Sequence, residues 1–205
     1  MKPATRERMA SSAFPHWCTP PDVCALLHAF GNVALDPCSN AYSMVRAGVE
    51  LRRGGLHAMA WAERAPKLHT DPRAFAYVNS PYGAALPRWT ARIVLEHREC
   101  GIEVVQLMPA RIETRWFRAA RDGASSIGIV RGRLRFWRRG KQRHPAFFPS
   151  ALLYYGSRVR EFERVFSSIA DFYRYVRPAA AAVAVQLDAL RVFDAARREH
   201  FGVLQ

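Results

Sequence analysis

Three short apolar runs, separated by stretches with helical spacing, constrain the fold of this chain more than any other feature. Asn32–Leu35, Phe75–Val78 and Ile102–Met108 each have the length and composition of a buried strand. Between the last two, apolar side chains recur at helical spacing over Leu86–His97, and Cys100-Gly101 breaks the pattern. Strands that alternate with helices in this way are typical of an α/β sheet with helices on its faces.

A helix is also predicted ahead of the first strand. Thr19 is a good N-cap residue, Pro20 fits the first helical position, and apolar side chains follow at helical spacing as far as Phe30. Gly31 is expected to end this helix. Three more short runs predict further strands, the first of them weak: Val49–Leu51, Ser126–Val130 and Ala151–Tyr155.

The composition is strongly basic. Thirty-one Lys and Arg residues against 17 Asp and Glu give a formal net charge of +14. Such a balance favours polyanionic partners, nucleic acid first and acidic membrane surfaces second. No apolar stretch approaches the length of a membrane span, and the N-terminus lacks the apolar core of a signal peptide, which predicts a cytoplasmic protein.

Much of the positive charge is concentrated in residues 111–144. Basic and apolar residues alternate over Arg133–Trp137, so one face of a hairpin is expected to bury Leu134 and Phe136 while the arginines project together. Clustered guanidinium groups next to aromatic rings favour a phosphate-binding surface, and a solvated basic face is the alternative. The residues predicted to contact nucleic acid, DNA if the resemblance described below holds, are Arg111, Arg115, Arg131, Arg133, Arg135, Arg138, Arg139, Lys141 and Arg143.

The four cysteines predict no metal site. Cys18, Cys24, Cys38 and Cys100 are irregularly spaced, and no pair has the Cys-x-x-Cys spacing of a zinc site. Reduced, partly buried thiols are the expected state.

A polar corner, Asn79-Ser80-Pro81-Tyr82, follows the second apolar run. At the end of a strand, the Asn79 side-chain oxygen and the Ser80 carbonyl can accept hydrogen bonds from a planar amine, while Tyr82 stacks on its ring. This arrangement suits a nucleobase that has left its stack. An ordinary strand-end turn is the alternative, because Asn, Ser, Pro and Gly are common turn residues.

The first apolar run ends in Asp36-Pro37, where α/β folds often meet a cofactor at the carboxyl edge of the sheet. The chain lacks Gly-x-Gly-x-x-Gly, so no dinucleotide fingerprint is present, but Asp36 can still hydrogen-bond the polar part of a small cofactor. Glu50 is a candidate for ribose hydroxyls if its strand lies beside the first, with a solvated glutamate as the alternative. Trp17 is either a core anchor or a wall of a ligand pocket.

Six motifs occur in order over about residues 15–156, and together they resemble the phage-type Dam-like DNA N6-adenine methyltransferases. They are Trp17-x-Thr19-Pro20, Leu35-Asp36-Pro37-Cys38, Asn79-Ser80-Pro81-Tyr82, Leu107-x-Pro109-Ala110, Thr114-x-Trp116-Phe117 and Gly132-Arg133-Leu134-x-Phe136. The resemblance implies a Rossmann-like methyltransferase sheet with helices on both faces, S-adenosylmethionine as cofactor and double-stranded DNA as partner. It also implies the cytoplasm of a bacterial or phage-infected cell, with the enzyme on the nucleoid when bound.

The same resemblance assigns the site residues. Trp17, Thr19, Pro20, Asp36 and Pro37 would bind the cofactor. Asn79, Ser80, Pro81 and Tyr82 would form the catalytic Asp/Asn-Pro-Pro-Tyr corner, with serine at position 80 where proline is usual. Serine keeps the carbonyl that contacts the adenine amine but loses the fixed φ of proline.

The sequence divides into a flexible tail at residues 1–13, a methyltransferase domain at 14–157 and a C-terminal helical extension at 158–205. The extension carries an apolar stripe over residues 183–193, which packs on its own domain or forms a homodimer interface. Two alternative functions stay open. One is an RNA or protein-glutamine methyltransferase with the same corner, and the other is a catalytically impaired DNA-binding protein on a methyltransferase scaffold.

Overall fold

The computed structural model describes residues 17–57 and 60–175 of the chain. In this part the strands are β1 (Trp17–Cys18), β2 (Asn32–Asp36), β3 (Val49–Glu50), β4 (Ala74–Val78), β5 (Val104–Pro109), β6 (Ser126–Val130), β7 (Trp137–Arg138), β8 (Lys141–Gln142), β9 (Ser150–Tyr155) and β10 (Ala170–Phe172). The helices are α1 (Pro21–Phe30), α2 (Trp61–Arg64), α3 (Lys67–Thr70), α4 (Leu86–Cys100), α5 (Arg115–Gly123) and α6 (Val159–Phe166).

The main sheet has seven strands in the order β10–β6–β9–β5–β4–β2–β3. Strands β3, β2, β4 and β5 are parallel, whereas β9 runs antiparallel between β5 and β6. Strands β4, β5 and β9 are buried along their whole length, which explains why the sequence reads there as continuous apolar runs. The predicted α/β class is confirmed.

Helices cover both faces of this sheet, as expected. One face packs against α2 to α5, with Trp61, Trp89 and Phe117 in its core. The other face packs against α1 and α6, where Phe30 and Phe162 meet with ring centroids 5.6 Å apart. Burying aromatic rings of this size supplies a large share of the stability and fixes the position of α1 relative to the sheet.

A second, smaller sheet joins the start of the described chain to the basic segment. It has the order β1–β7–β8, with Trp17 opposite Arg138 and Cys18 opposite Trp137. Strands β7 and β8 form a hairpin whose two-residue turn is Arg139-Gly140, with φ of 50° and 72°. The predicted basic hairpin is therefore present but short, because only Trp137 and Arg138 pair as a strand.

The helix ends follow local sequence signals. Gly31 ends α1 as predicted, and its N–H donates to the Leu27 carbonyl at 3.1 Å. Gly101 ends α4 in the left-handed region, with φ of 67°, and its N–H donates to the His97 carbonyl. A second bond from the Ile102 N–H completes the usual glycine cap.

The predicted N-cap of α1 is wrong. Pro20 occupies the cap position and no side chain caps the helix. The hydroxyl of Thr19 instead bonds to two residues near the end of β4, as described below. Thr19 has a side chain suited to capping a helix, but its hydroxyl forms hydrogen bonds with residues distant in the sequence instead.

The fold continues beyond residue 157, where the sequence analysis placed a domain boundary. Phe162 and Phe166 of α6 are completely buried, and β10 is an edge strand of the main sheet. The tail at residues 1–13 and the apolar stripe over residues 183–193 lie outside the described residues.

Candidate active site

Three segments meet at the carboxyl edge of the main sheet. Strands β2 and β4 are parallel neighbours, so Asp36 and Asn79 leave the sheet on the same side. The third segment is β1 with Thr19, which the small sheet holds in place. Residues predicted to bind the cofactor and residues predicted to be catalytic are thus brought together.

Asp36 is a buried acid at this edge, with 4% of its surface exposed. Burial raises the pKa of its carboxyl group to about 7, although the Cys38 N–H lowers it by donating to Oδ1 at 3.1 Å. The charge on Glu50, opposite Asp36 in the β2–β3 pair, raises the pKa further. The side chain is therefore a hydrogen-bonding group whose charge changes near neutral pH.

The turn after Asp36 ties the three segments to one another. Asn40 donates from Nδ2 to the Trp17 carbonyl at 3.4 Å and accepts from the Cys18 thiol at 3.5 Å. The Cys38 side chain lies against the backbone of Asn79. These contacts link β1, the β2 turn and the polar corner into one unit.

Pro37 and Pro20 are both buried in this unit. Gly55 lies so close to the turn that a Cβ there would be 1.7 Å from the Pro37 carbonyl oxygen. Only glycine allows this approach, which packs the loop after β3 against the Asp36 turn.

The thiols near the site stay protonated. Burial raises the pKa of Cys24 to about 12 and raises the pKa values of Cys18 and Cys38. A neutral thiol is a poor nucleophile, so these cysteines are unsuited to covalent catalysis.

Asn79 is half-buried and its amide is held at both ends. Its Nδ2 donates to Thr19 Oγ1 at 3.2 Å, and its Oδ1 accepts from the Tyr82 hydroxyl at 3.4 Å. Thr19 Oγ1 in turn lies 2.8 Å from the hydroxyl of Tyr77, the penultimate residue of β4. Both Thr19 and Tyr77 are buried.

Tyr82 connects the polar corner to the basic segment. Its ring meets Phe148 edge-on at 5.3 Å and Phe136 at 6.3 Å between centroids. Phe136 lies directly before β7, so the hairpin and the corner share one aromatic cluster.

Two of the side chains at this edge carry a buried polar atom that has no hydrogen-bond partner among the described residues. These atoms are the indole N–H of Trp17 and the hydroxyl of Ser80. Buried polar groups are normally paired, so such atoms are expected where a polar ligand binds. Pro81, by contrast, is exposed at the rim.

Most of the predicted DNA-contacting residues are exposed. They form two groups near the carboxyl edge of the sheet, one after β5 and one on the β7–β8 hairpin. Arg111 and Arg115 follow β5, and Arg111 forms an exposed ion pair with Glu113 at 2.5 Å. On the hairpin side, Arg138 is half-buried beside the Trp17 ring at 5.8 Å. The exposed residues of that side are Arg133, Arg135, Arg139, Lys141 and Arg143.

The guanidinium group of Arg131 is bound to residues of the α6–β10 segment. It donates to the carbonyls of Ser167 and Ser168 at 2.8 and 2.7 Å and pairs with Asp171 at 2.6 Å. These bonds hold the segment between α6 and β10 in place.

Two residues of the site were not singled out from the sequence. Tyr77 is the one hydroxyl-bearing residue in the apolar strand β4, and a buried tyrosine hydroxyl usually needs a partner, which was an available signal. Phe148 carries no comparable signal, because its contact with Tyr82 depends on the tertiary fold.

A comparison with protein families shows which family the chain belongs to. Residues 8–169 match the family described as DNA N-6-adenine-methyltransferase (Dam). The chain belongs to this family. The resemblance inferred from the six motifs is confirmed, and the Dam match extends beyond them into α6. No curated protein and no solved structure gives a significant match to the chain.

Dam-family membership makes this chain, in general terms, a DNA adenine methyltransferase. None of the helices in the described part of the chain has the length and apolar character needed to cross a bilayer. The same residues contain no group of three or more His, Cys, Asp or Glu side chains arranged to hold a metal ion.

Proposed function

We propose that the chain transfers a methyl group from S-adenosylmethionine to the exocyclic amine of an adenine that has left duplex DNA. The observation that carries this proposal is the Asn79 amide at the carboxyl end of β4, beside the Asp36 turn, in a chain of the Dam family. The proposal includes a Rossmann-like methyltransferase fold for the main sheet and its helices.

The residues at the sheet edge fit this cofactor. Asp36 offers a buried oxygen, and the unpaired polar atoms of Trp17 and Ser80 offer a further donor and a hydroxyl for its polar groups. Thr19, Pro20 and Pro37 line the same edge through β1 and the β2 turn. Glu50, which lies opposite Asp36, would bind the ribose hydroxyls. When bound, the cofactor supplies an electrophilic methyl group on a sulfonium.

The polar corner supplies acceptors for the adenine amine. An aromatic amine is a poor nucleophile because its lone pair is delocalised into the ring. Hydrogen bonds from its two hydrogens to Asn79 Oδ1 and the Ser80 carbonyl favour a more tetrahedral nitrogen with a localised lone pair. Catalysis is then mainly positioning and local electrostatics, and it needs no covalent enzyme intermediate.

The backbone carbonyl of Ser80 would serve as the second acceptor. Among the described residues, no backbone N–H outside the helices and strands is bonded to it. Tyr82, held by Phe136 and Phe148, would stack on the extruded base and offset part of the cost of unstacking. The exposed arginines of 111–143 would follow the phosphates on either side.

Methyl transfer to defined substrates tests the proposal. Purified protein and labelled S-adenosylmethionine are combined with duplex DNA that lacks methyladenine, with RNA of the same sequence and with a glutamine-containing peptide. We expect label only on DNA, at adenine N6. Asn79→Ala should lower kcat by about a thousandfold or more, because one of two acceptors is lost.

The other arms test the alternatives. Label on RNA or on the peptide would show that the substrate is RNA or a protein glutamine and not DNA. Salt-sensitive DNA binding without label on any substrate would favour the impaired DNA-binding protein. Full activity in Asn79→Ala would refute the assignment of the corner.

A further inference from the structure

Three hydroxyl groups and one amide form a hydrogen-bonded chain across the site. It runs from Tyr77 to Thr19 at 2.8 Å, from Thr19 to Asn79 Nδ2 at 3.2 Å, and from Asn79 Oδ1 to Tyr82 at 3.4 Å. Tyr77 and Thr19 are 58 positions apart in sequence and only 0% and 2% exposed. Burial raises the pKa of Tyr77, so its hydroxyl stays protonated.

A carboxamide has two ends of nearly the same shape but opposite hydrogen-bonding character. Only the oxygen accepts a hydrogen bond from an amine, whereas the nitrogen end presents two more hydrogens. If the Asn79 amide were rotated by half a turn, its NH₂ group would face the amine of the substrate. Two hydrogen-bond donors would then oppose each other. An enzyme that relies on asparagine here needs a device that selects one orientation.

We propose that Thr19 and Tyr77 are positioning residues that hold the Asn79 amide with its oxygen toward the substrate. Thr19 Oγ1 accepts from Nδ2, which leaves Oδ1 on the side of Tyr82. Tyr77 engages the Thr19 hydroxyl, so that an oxygen lone pair faces the Asn79 amide. This inference rests on the proposed function, because it assumes that Asn79 Oδ1 accepts from the adenine amine.

The location of Thr19 supports this role. Its hydroxyl is not used as the cap of α1, although the residue lies two positions before the first residue of that helix and has the appropriate type. The small sheet fixes β1, and the aromatic cluster of Phe30 and Phe162 fixes α1. Thr19, which lies between β1 and α1, is therefore held in place on both sides. A residue that orients the Asn79 side chain needs such a fixed position.

The test compares Thr19→Val in two backgrounds. Valine has the shape of threonine without the hydroxyl. With Asn79 present, we expect kcat at saturating cofactor and DNA to fall by about tenfold to a hundredfold. In an Asn79→Asp background both side-chain ends are oxygens, so no orientation has to be selected. There the same substitution should change kcat by less than about threefold.

If Thr19 has only a structural or a cofactor-binding role, the kinetic results should differ from these. Equal losses of kcat in the two backgrounds, or a loss confined to cofactor affinity with kcat unchanged, would overturn the inference. Thr19→Ser keeps the hydroxyl and should lose much less kcat than Thr19→Val. Thermal melting of each variant separates these effects from loss of the fold.

Tyr77→Phe provides a second measurement if Asn79→Asp has too little activity to measure. Tyr77→Phe alone should lower kcat by about threefold to tenfold, because the Thr19 hydroxyl is freed. Since Tyr77 acts only through Thr19, the double variant Thr19→Val/Tyr77→Phe should be no slower than Thr19→Val. Multiplicative losses would contradict the shared role.

Failure of this inference differs from failure of the proposed function. A wild-type protein that methylates DNA, an inactive Asn79→Ala variant and an undiminished Thr19→Val variant would refute only the positioning role. Activity that survives Asn79→Ala would refute the catalytic corner itself.

Discussion

The buried carboxyl group of Asp36 makes the stability of the protein depend on pH. Its pKa is about 7 in the folded protein, against an ordinary value of 3.8. The folded state therefore keeps a proton that the unfolded chain has already released between these two values. The free energy of unfolding should fall as pH rises through this window, unless a ligand pairs with the carboxylate.

Replacing Asp36 with asparagine should remove this dependence. The asparagine side chain keeps an oxygen for the Cys38 N–H but carries no charge to bury. Without cofactor at pH 8, we expect Asp36→Asn to be more stable than the wild type by up to about 4 kcal/mol. The excess should shrink toward pH 4.5.

Urea unfolding of both proteins at a series of pH values measures this difference. Glu63→Gln, at an exposed carboxylate of α2, serves as the control and should show no such trend. A stability difference that does not vary with pH would contradict a buried Asp36 carboxyl group of raised pKa.

At the residue scale, the sequence showed which polar side chains lie at the ends of strands, but it did not show which residues they hydrogen-bond. Asp36 and Asn79 are recognisable because polar side chains directly after buried runs lie at the sheet edge. Thr19 was predicted as a helix cap because local sequence favours that role. Its contact with Tyr77 spans 58 positions, and local patterns do not report such contacts.

At the scale of elements, six of the seven strands of the main sheet were predictable as short runs with their own boundaries, whereas the edge strand β10 was not predicted. The hairpin was predicted over Arg133–Trp137, but pairing covers only Trp137 and Arg138 on that strand. Its partner β1 is more than a hundred positions away, so sequence alone did not reveal where pairing stops. The alternation of buried and exposed side chains nevertheless holds from Arg133 to Phe136.

Two neighbouring arginines should separate a structural role from DNA binding. Arg131→Ala removes four contacts with the α6–β10 segment, three to backbone carbonyls and one to Asp171, and should lower the free energy of unfolding by about 1–2 kcal/mol. Arg133→Ala, at an exposed side chain, should change stability by less than about 0.5 kcal/mol while weakening DNA binding. Chemical unfolding and DNA titration of both variants measure these effects. Equal stability of the two would contradict the role given to Arg131.

At the scale of the whole molecule, the class of fold followed from the sequence but the order of strands did not. β9 enters the sheet antiparallel between β5 and β6, although it follows both of them in the chain. Local patterns carry no information on such an insertion. After β9 the chain continues into α6, which packs against α1, and into β10, which pairs with β6.

The positive charge should act mainly from the carboxyl edge of the sheet. Replacing three exposed hairpin-side residues with glutamine (Arg133, Arg135 and Lys141) should reduce the slope of log affinity for DNA against log salt by about 2–3. A matched variant changes three exposed residues elsewhere, namely Lys67, Arg98 and Arg160. It loses the same charge and should change the slope by less than about 1. Equal slopes for the two triple variants would show that the hairpin is not the DNA-contacting surface.

The most direct measurement of the central claim is made in cells that lack adenine methylation. The chain and its Asn79→Ala variant are expressed separately, and the DNA of the cells is sequenced for modified bases. We expect N6-methyladenine at a defined sequence with the wild type, and unmodified DNA with the variant. Identical marks from both proteins, or marks on a base other than adenine, would contradict the account.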